Sequence, residues 1–483
     1  MTFEDRIEEI IVGIGNNISD YVLIPLLLIV AVWLTWRTRA VQFRMFGEMC
    51  RLLVSPKSGT HKDKNALSSF QAFMISVASH VGTGNLAGVA TAITIGGPGA
   101  VFWMWIIAIL GAASSFVECT LAQIFKIDDG KGGYRGGPAY YIMRGIGSRI
   151  WAVTFAVLIS ITFGLAYNSV QSNTISQAFE SSWGVPGIIT TIAVTLLTLI
   201  IISGGIKSIA RFSEWVVPVM AVAYVLIGAI IIIMNFGRVP ECFEVIIEGA
   251  FGLKQAVGGT MGAALAIGIR RGLFSNEAGE GSAPNAAATA QVSHPVKQGL
   301  VQALGVYVDT LLICTCTAFI ILLSGIDLGS AQGITLTQRA IDAEFHSAGG
   351  IGATFISIAI FFFAFTSIVA NYYYGETNIR FISAKGPWVY IYRAVVGGMV
   401  FLGGVSTLGI VWSLADITMS LMAVCNIAAL LFLGKYAFRA LKDFSKQRRQ
   451  KKDPVYYREV NPEIASVTTC WPSRTEDANL TTE

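Results

Sequence analysis

Apolar residues in this chain gather into runs of about twenty, the length a helix needs to cross a ~30 Å hydrocarbon layer. Eleven such runs fall near residues 21–36, 67–96, 98–125, 150–180, 187–203, 213–235, 256–290, 299–325, 350–380, 388–404 and 408–433. Inside lipid every backbone N–H and C=O must be paired within the protein, so a run of this kind becomes an α-helix. Composition agrees, since 54% of the 483 residues are hydrophobic and 13% are charged, too little charge for a soluble protein of this length. The expectation is an all-α polytopic membrane protein with about eleven transmembrane helices, forming one transmembrane domain over 1–434. Residues 435–483 are expected to be a basic and polar cytoplasmic tail, its basic part (435–452) lying as an interfacial helix on anionic lipid. No room is left for a separate soluble catalytic domain.

Charge in the connections sets the expected orientation. Lys and Arg number seven in 37–66, five in 126–149, two in 204–213 and eight in 435–452. The alternate connections are poor: only Arg6 in 1–20, Arg238 and Lys254 in 236–254, and Arg339 in 326–348. The N-terminus is thus expected outside and the C-terminus in the cytoplasm, which requires an odd number of crossings. The start, "MTFEDRIEEI", is acidic and lacks the basic opening of a signal peptide, so no cleavage is expected. The seven cysteines show no metal-ligand spacing and read as small buried apolar side chains.

Two of the runs are interrupted. In "ASHVGTGNLAGVATAITIGGPG", residues 78–99, Gly82, Gly84 and Gly88 stand beside Thr83 and Asn85. The second interruption, "RRGLFSNEAGEGSAPN", begins at Arg270. With the first helix (21–36) set aside as an addition, the two interrupted helices open two runs of five, 67–235 and 256–433. An odd number in each run makes the two halves inverted repeats. Broken helices at matching places in two halves point to a transporter site at mid-membrane. Glycines that only permit close helix packing would not need Asn85, Asn276 and Glu277 beside them. At such a break the free N–H groups attract an anion and the freed carbonyls a cation. "GTGN" at 82–85 therefore reads as a carboxylate cradle, glycine giving a ligand access to the backbone.

These residues carry a resemblance. "GTGNLAGVATAI" at 82–93, "GGPAYYI" at 136–142, "RGLFSNEAGEGSAPNAAATA" at 271–290, "HPVKQG" at 294–299 and "NYYYGE" at 371–376 resemble the alanine or glycine:cation symporter family. The likeness covers roughly residues 10–445 and implies a LeuT-type fold, one added helix before two inverted five-helix repeats. It also implies sodium-driven uptake of alanine and glycine. On that resemblance the substrate carboxylate meets the backbone of Thr83 and Gly84, with Asn85 nearby. Gln171 lines the site, with Phe274, Ser275 and Asn276 from the second broken helix. Sodium sits between carbonyls near Ala78 and Val81 and the hydroxyls of Thr366 and Ser367. The residues alone also allow plainer roles: interhelical hydrogen bonds for Gln171, back-bonding to the helix for Thr366 and Ser367, and core packing for Phe274. Asn371 is left unassigned.

Charged residues within spans are costly and are functional candidates by default. Glu118, Asp309 and Asp416 belong here, as does His80 at the first break, and proton coupling through such groups is the alternative to sodium. Arg271 is expected to pair with an acidic side chain or carbonyls. The chain contains no GxxxxGK[ST] pattern for ATP, no HExxH metal set and no visible filter loop. The expectation is a secondary active transporter in the inner membrane of a prokaryote, taking a small amino acid, with sodium co-transported. No enzyme activity, organic cofactor or nucleic-acid partner is expected.

Overall fold

The computed structural model describes residues 13, 15–54, 67–130, 132–252, 260–345, 350–383 and 385–475. The acidic start over 1–12, Lys57, Lys62, Lys64, Lys131 and Lys254, and the tail from 476 lie outside the described residues. Eight of the described helices are long and apolar enough to span a membrane. They are α1 (Gly15–Arg37), α4 (Ala100–Ile124), α5 (Arg149–Trp183), α7 (Gly205–Met234), α11 (Pro295–Leu323), α13 (Ile351–Ile382), α14 (Gly386–Val405) and α15 (Leu408–Arg449). The 17-residue α6 (Gly187–Ser203) is a further apolar helix. Two more crossings are interrupted: α2 (Ser69–His80) with α3 (Gly84–Gly96), and α9 (Met261–Asn276) with α10 (Ala283–Ala287). Eleven crossings result among the described residues. Between them α8 (Val239–Phe251) and α12 (Ile334–Glu344) cap two connections.

Local chemistry fixes where the broken helices begin and end. Ser68 accepts from Gln71 N while the Gln71 side chain accepts from Ser68 N, a reciprocal cap that starts α2. Thr260 caps α9 through Ala263 N. Val81 leaves the helical region at φ −80°, ψ 92° and ends α2. Glu277 turns left-handed at φ 54° and ends α9, and Gly279 (φ 95°) and Gly281 (φ 87°) continue the turn. Glycine takes such angles without steric cost, whereas Glu277 takes its own because its side chain is tied on both oxygens.

α4 packs against α9 and α11, and α5 packs against α13 and α14, so both broken helices are enclosed by unbroken ones. Outward faces carry large exposed apolar side chains such as Ile29, Ile200, Val219, Ile233, Leu402 and Phe432. That is the arrangement of a chain solvated by lipid.

The end of the transmembrane part differs from expectation. α15 does not stop at 433; it runs unbroken to Arg449, so position 434 is no structural boundary and 435–449 is not a separate interfacial helix. Ala440, Leu441 and Phe444 are buried against the protein, because the apolar stripe of the span continues into the basic stretch. Residues 453–475 then fold back rather than trail away. Tyr456 N donates to Ser293 O (2.9 Å), and Trp471 Nε1 donates to Gln123 O (3.0 Å). Beneath them Ala290 O accepts from Gln123 Nε2 and Lys126 Nζ, both at 2.9 Å, while Gln291 N donates to Leu67 O (3.0 Å). The entry to α2 and the exit from α10 are thereby stitched together.

Candidate functional site

The two interruptions face each other. A Cβ on Gly84 would lie 3.0 Å from Ser275 Cα and 3.2 Å from Phe274 Cδ1, so only glycine lets the breaks meet. At the first break Gly82 N donates to Asn85 Oδ1 (2.9 Å) and Thr83 N donates to Gln171 Oε1 (3.0 Å). Of the two N–H groups expected to meet a carboxylate, Thr83 N is thus paired with an amide oxygen that an anion could replace, as is the adjacent Gly82 N. Thr83 Oγ1 is buried without a partner among the described residues, a polar atom that a bound ligand would satisfy.

Oxygen atoms converge just before that break. Ser367 Oγ lies 2.8 Å from Ala78 O, 3.5 Å from Val81 O and 2.9 Å from Phe363 O. The helix has stopped at Val81, so the carbonyls of Ala78 and Val81 have no complete helical ladder to serve, whereas Phe363 O belongs to the unbroken α13. A cluster of neutral oxygens suits a small hard cation that must replace its hydration shell. Thr366 Oγ1 donates to Phe363 O (2.9 Å), the helix-internal bond the residues alone allowed.

At the second break Glu277 is the tie. Its Oε1 lies 2.6 Å from Ser79 Oγ, its Oε2 accepts from Ser282 Oγ (2.5 Å), and His80 Nε2 is 3.6 Å from Oε2. One carboxyl group therefore joins α2, α9 and the turn into α10. Ser79 Oγ also lies 2.7 Å from Asn371 Oδ1, whose amide donates to Asn168 Oδ1 (3.1 Å), extending the network into α5 and α13. Glu118 accepts from Gly279 N (3.1 Å) and Asn426 Nδ2 (2.8 Å), which holds the turn from the α4 side. Glu280 accepts from Tyr167 OH at 3.1 Å.

A further buried carboxylate, Asp309, joins both breaks to a third helix. Asp309 accepts from Asn85 Nδ2 (2.6 Å), Ser275 Oγ (2.8 Å) and Thr310 Oγ1 (2.8 Å), linking both broken helices to α11. Above this level Arg271 pairs with Asp416 and lies 4.3 Å over the Trp412 ring. Phe274 packs between Trp412 (4.7 Å) and Tyr167 (4.5 Å) with its ring tilted to both. These aromatic rings and the ion pair roof the space over Gly84.

The structure brings Ala78, Val81, Thr83, Gly84, Asn85, Gln171, Phe274, Ser275, Asn276, Thr366 and Ser367 to the breaks, each of them buried. Asn276 is occupied with its own surroundings: its amide donates to Thr310 Oγ1 (3.2 Å) and its carbonyl accepts from Ala278 N (3.0 Å). Sequence reasoning missed the linking roles of Glu277, Glu280 and Ser79 and left Asn371 unassigned. The available signal was charge: "NEAGEG" puts two carboxylates into an apolar run, where neither survives without partners.

The model of the sodium:alanine symporter family matches residues 4–458. A protein of Bacillus subtilis (strain 168) named as a probable sodium/glutamine symporter, GlnT, is 48% identical over 471 residues, 97% of each chain. A putative sodium/proton-dependent alanine carrier of the same organism, YrbD, is 44% identical over 436 residues, 87% of this chain and 88% of that one. The crystal structure of MhsT in complex with L-phenylalanine superposes with a TM-score of 0.56 over 86% of this chain and 97% of that chain. At 13% identity that likeness is one of fold.

Proposed function

Because the chain belongs to the sodium:alanine symporter family, we propose that it imports small neutral amino acids, alanine and glycine, together with sodium by alternating access. The orientation that fits import puts the N-terminus outside and the C-terminus in the cytoplasm of a prokaryotic cell. The moving parts would be two inverted repeats, 67–235 and 256–433, with the site where their broken helices meet.

In this reading Ser367 Oγ and the carbonyls of Ala78 and Val81 hold sodium, with Thr366 beside them. Thr83 and Gly84 present backbone N–H groups to the substrate carboxylate. Gln171 and Asn85, which pair with Thr83 N and Gly82 N, release them and turn to the ligand. Phe274 closes over the side chain, and Ser275 and Asn276 line the second break. The single observation that carries the reading is Ser367 Oγ within 3.5 Å of both Ala78 O and Val81 O. It supports a cation held beside the carboxylate cradle, where each ligand would raise the affinity for the other.

Two features favour rival details. Asp309, buried between Asn85 and Ser275, would carry a proton if coupling were to protons. The 48% relative named for glutamine favours a longer amide side chain in place of a methyl group. Labelled alanine uptake into proteoliposomes tests all three, with sodium and proton gradients imposed separately and unlabelled glycine, glutamine and leucine as competitors. The proposal expects sodium-driven uptake and competition by glycine. Uptake driven by protons alone, or glutamine displacing alanine with the higher affinity, would replace it by the corresponding rival.

A further inference from the structure

At the end of α1, opposite the end of α15, lies a cavity of about 1230 Å³. Six cationic side chains line it: Arg37, Arg39, Arg44, Lys442, Lys446 and Arg449. Among the described residues no acidic side chain lines it and none of the six is in an ion pair. Acids are at hand on this side of the protein but serve other cations. Glu48 pairs with Arg448 (3.0 Å), the neighbour of Arg449, and Glu463 pairs with Lys435 (3.5 Å) and Arg439 (3.1 Å). The groove is thus left uncompensated while its rim is neutralised.

Crowding shows in Arg44, whose pKa is pushed below its ordinary value by burial and by the nearby Arg39 and Arg449 charges. Like charges gathered without a counterion favour an anion that sits between them. The backbone contributes too. Arg39 (φ 56°) and Ala40 (φ 51°) are left-handed without being glycine, a conformation that persists only where surroundings impose it. Ala40 N donates to Thr35 O (2.7 Å) and Thr38 Oγ1 to Leu34 O (2.8 Å), which closes α1 and starts the next turn toward the groove.

The remaining wall is apolar. Val32 and Trp36, 54% and 70% exposed, stand on α1 below the cations. Phe438 and Leu441 face them from α15, and Arg37 lies over the Phe438 ring (5.2 Å). A free inorganic anion has no use for this wall, whereas an acyl chain running down from a phosphate does. We propose that this groove binds the headgroup of an anionic phospholipid, with room for more than one phosphate. Basic pockets between transmembrane helices at a membrane interface are suited to such headgroups, each cation adding to the affinity.

The test uses purified full-length protein in phosphatidylcholine nanodiscs containing a minority of phosphatidylglycerol or diphosphatidylglycerol. Lipid retained through delipidation is read by native mass spectrometry, and the thermal midpoint is read in parallel. Wild type is expected to retain diphosphatidylglycerol over phosphatidylcholine. Combining Arg39→Gln, Arg44→Gln and Arg449→Gln should weaken that retention by about tenfold or more. Combining Arg149→Gln, Arg211→Gln and Lys385→Gln removes the same charge elsewhere and should leave retention within about twofold. Equal losses in both triples would mean diffuse attraction and overturn the site. So would stabilisation by millimolar inorganic phosphate equal to that by the lipid. If the first triple does not purify, Arg39→Gln and Arg449→Gln singly should each weaken retention about fivefold, and no loss in either would sink the proposal.

Discussion

In the proposed reading, a single hydroxyl separates a transporter site from an ordinary helix crossing. Both Ser367 and its neighbour Thr366 bond back to Phe363, but Ser367 also reaches across to Ala78 and Val81. Ser367→Ala should therefore weaken sodium activation of uptake by tenfold or more, on the order of 1.4 kcal/mol. Thr366→Ala should cost less, because its hydroxyl bonds within its own helix rather than to the carbonyls of the break. Sodium titrations of uptake, normalised to surface expression, check the order. Gly82 gives a second test at this scale. A Cβ there would strike Ser367 Oγ and come within 2.9 Å of Gln171 Oε1. Gly82→Ala should abolish alanine binding in a scintillation-proximity assay while the protein still purifies as a monodisperse species. Both residues could be read in the sequence, since glycine and hydroxyl groups inside apolar runs have few reasons to be there. What could not be read was the division of labour between Thr366 and Ser367, which depends on helix rotation.

At the breaks, buried carboxylates tie elements together within an apolar core. Glu277 is held by Ser79 and Ser282 on either side of two helix breaks. Replacing it with alanine leaves buried hydroxyls without their acceptor, at a cost of roughly 1–3 kcal/mol. Glu277→Ala should lower the thermal midpoint in detergent and reduce uptake, while Glu277→Gln, which keeps an oxygen acceptor, should restore part of both. Equal behaviour of the two variants would show that the carboxyl group's shape and bonds are not what joins the helices. The breaks themselves were legible, because glycine and asparagine in an apolar run announce them. The tie was not, because Ser79 and Glu277 are 198 positions apart and pairing across that separation leaves no local pattern. The same holds for Arg271: a partner was expected, but only the packing of α9 on α15 identifies Asp416. The misplaced end of α15 has a different cause. A basic stretch looks interfacial in sequence even when one apolar stripe runs through it into the protein.

For the whole molecule, the fold-back of 453–475 makes the last segment part of the transmembrane body. Trp471 is 5% exposed, bonded to Gln123 O, with the Lys126 ammonium 4.8 Å over its ring. Removing a buried indole costs about 3–5 kcal/mol in a packed core. Trp471→Ala should free the segment, seen as faster trypsin cleavage between residues 451 and 475 with the transmembrane body intact. Ala290 O, clasped by Gln123 and Lys126, and the Gln291–Leu67 bond close the same end of the molecule. A conformation open at that end must first give up these bonds, and the opposite end has its own, different lock in Arg271 and Asp416. In the proposed alternating-access cycle the two half-cycles would therefore climb barriers of unlike origin: several neutral bonds and a charged backbone contact on one side, one ion pair on the other. Their rates should diverge on cooling, with the step that releases cargo past Ala290 slowing more steeply, so that a transporter balanced when warm becomes release-limited in the cold.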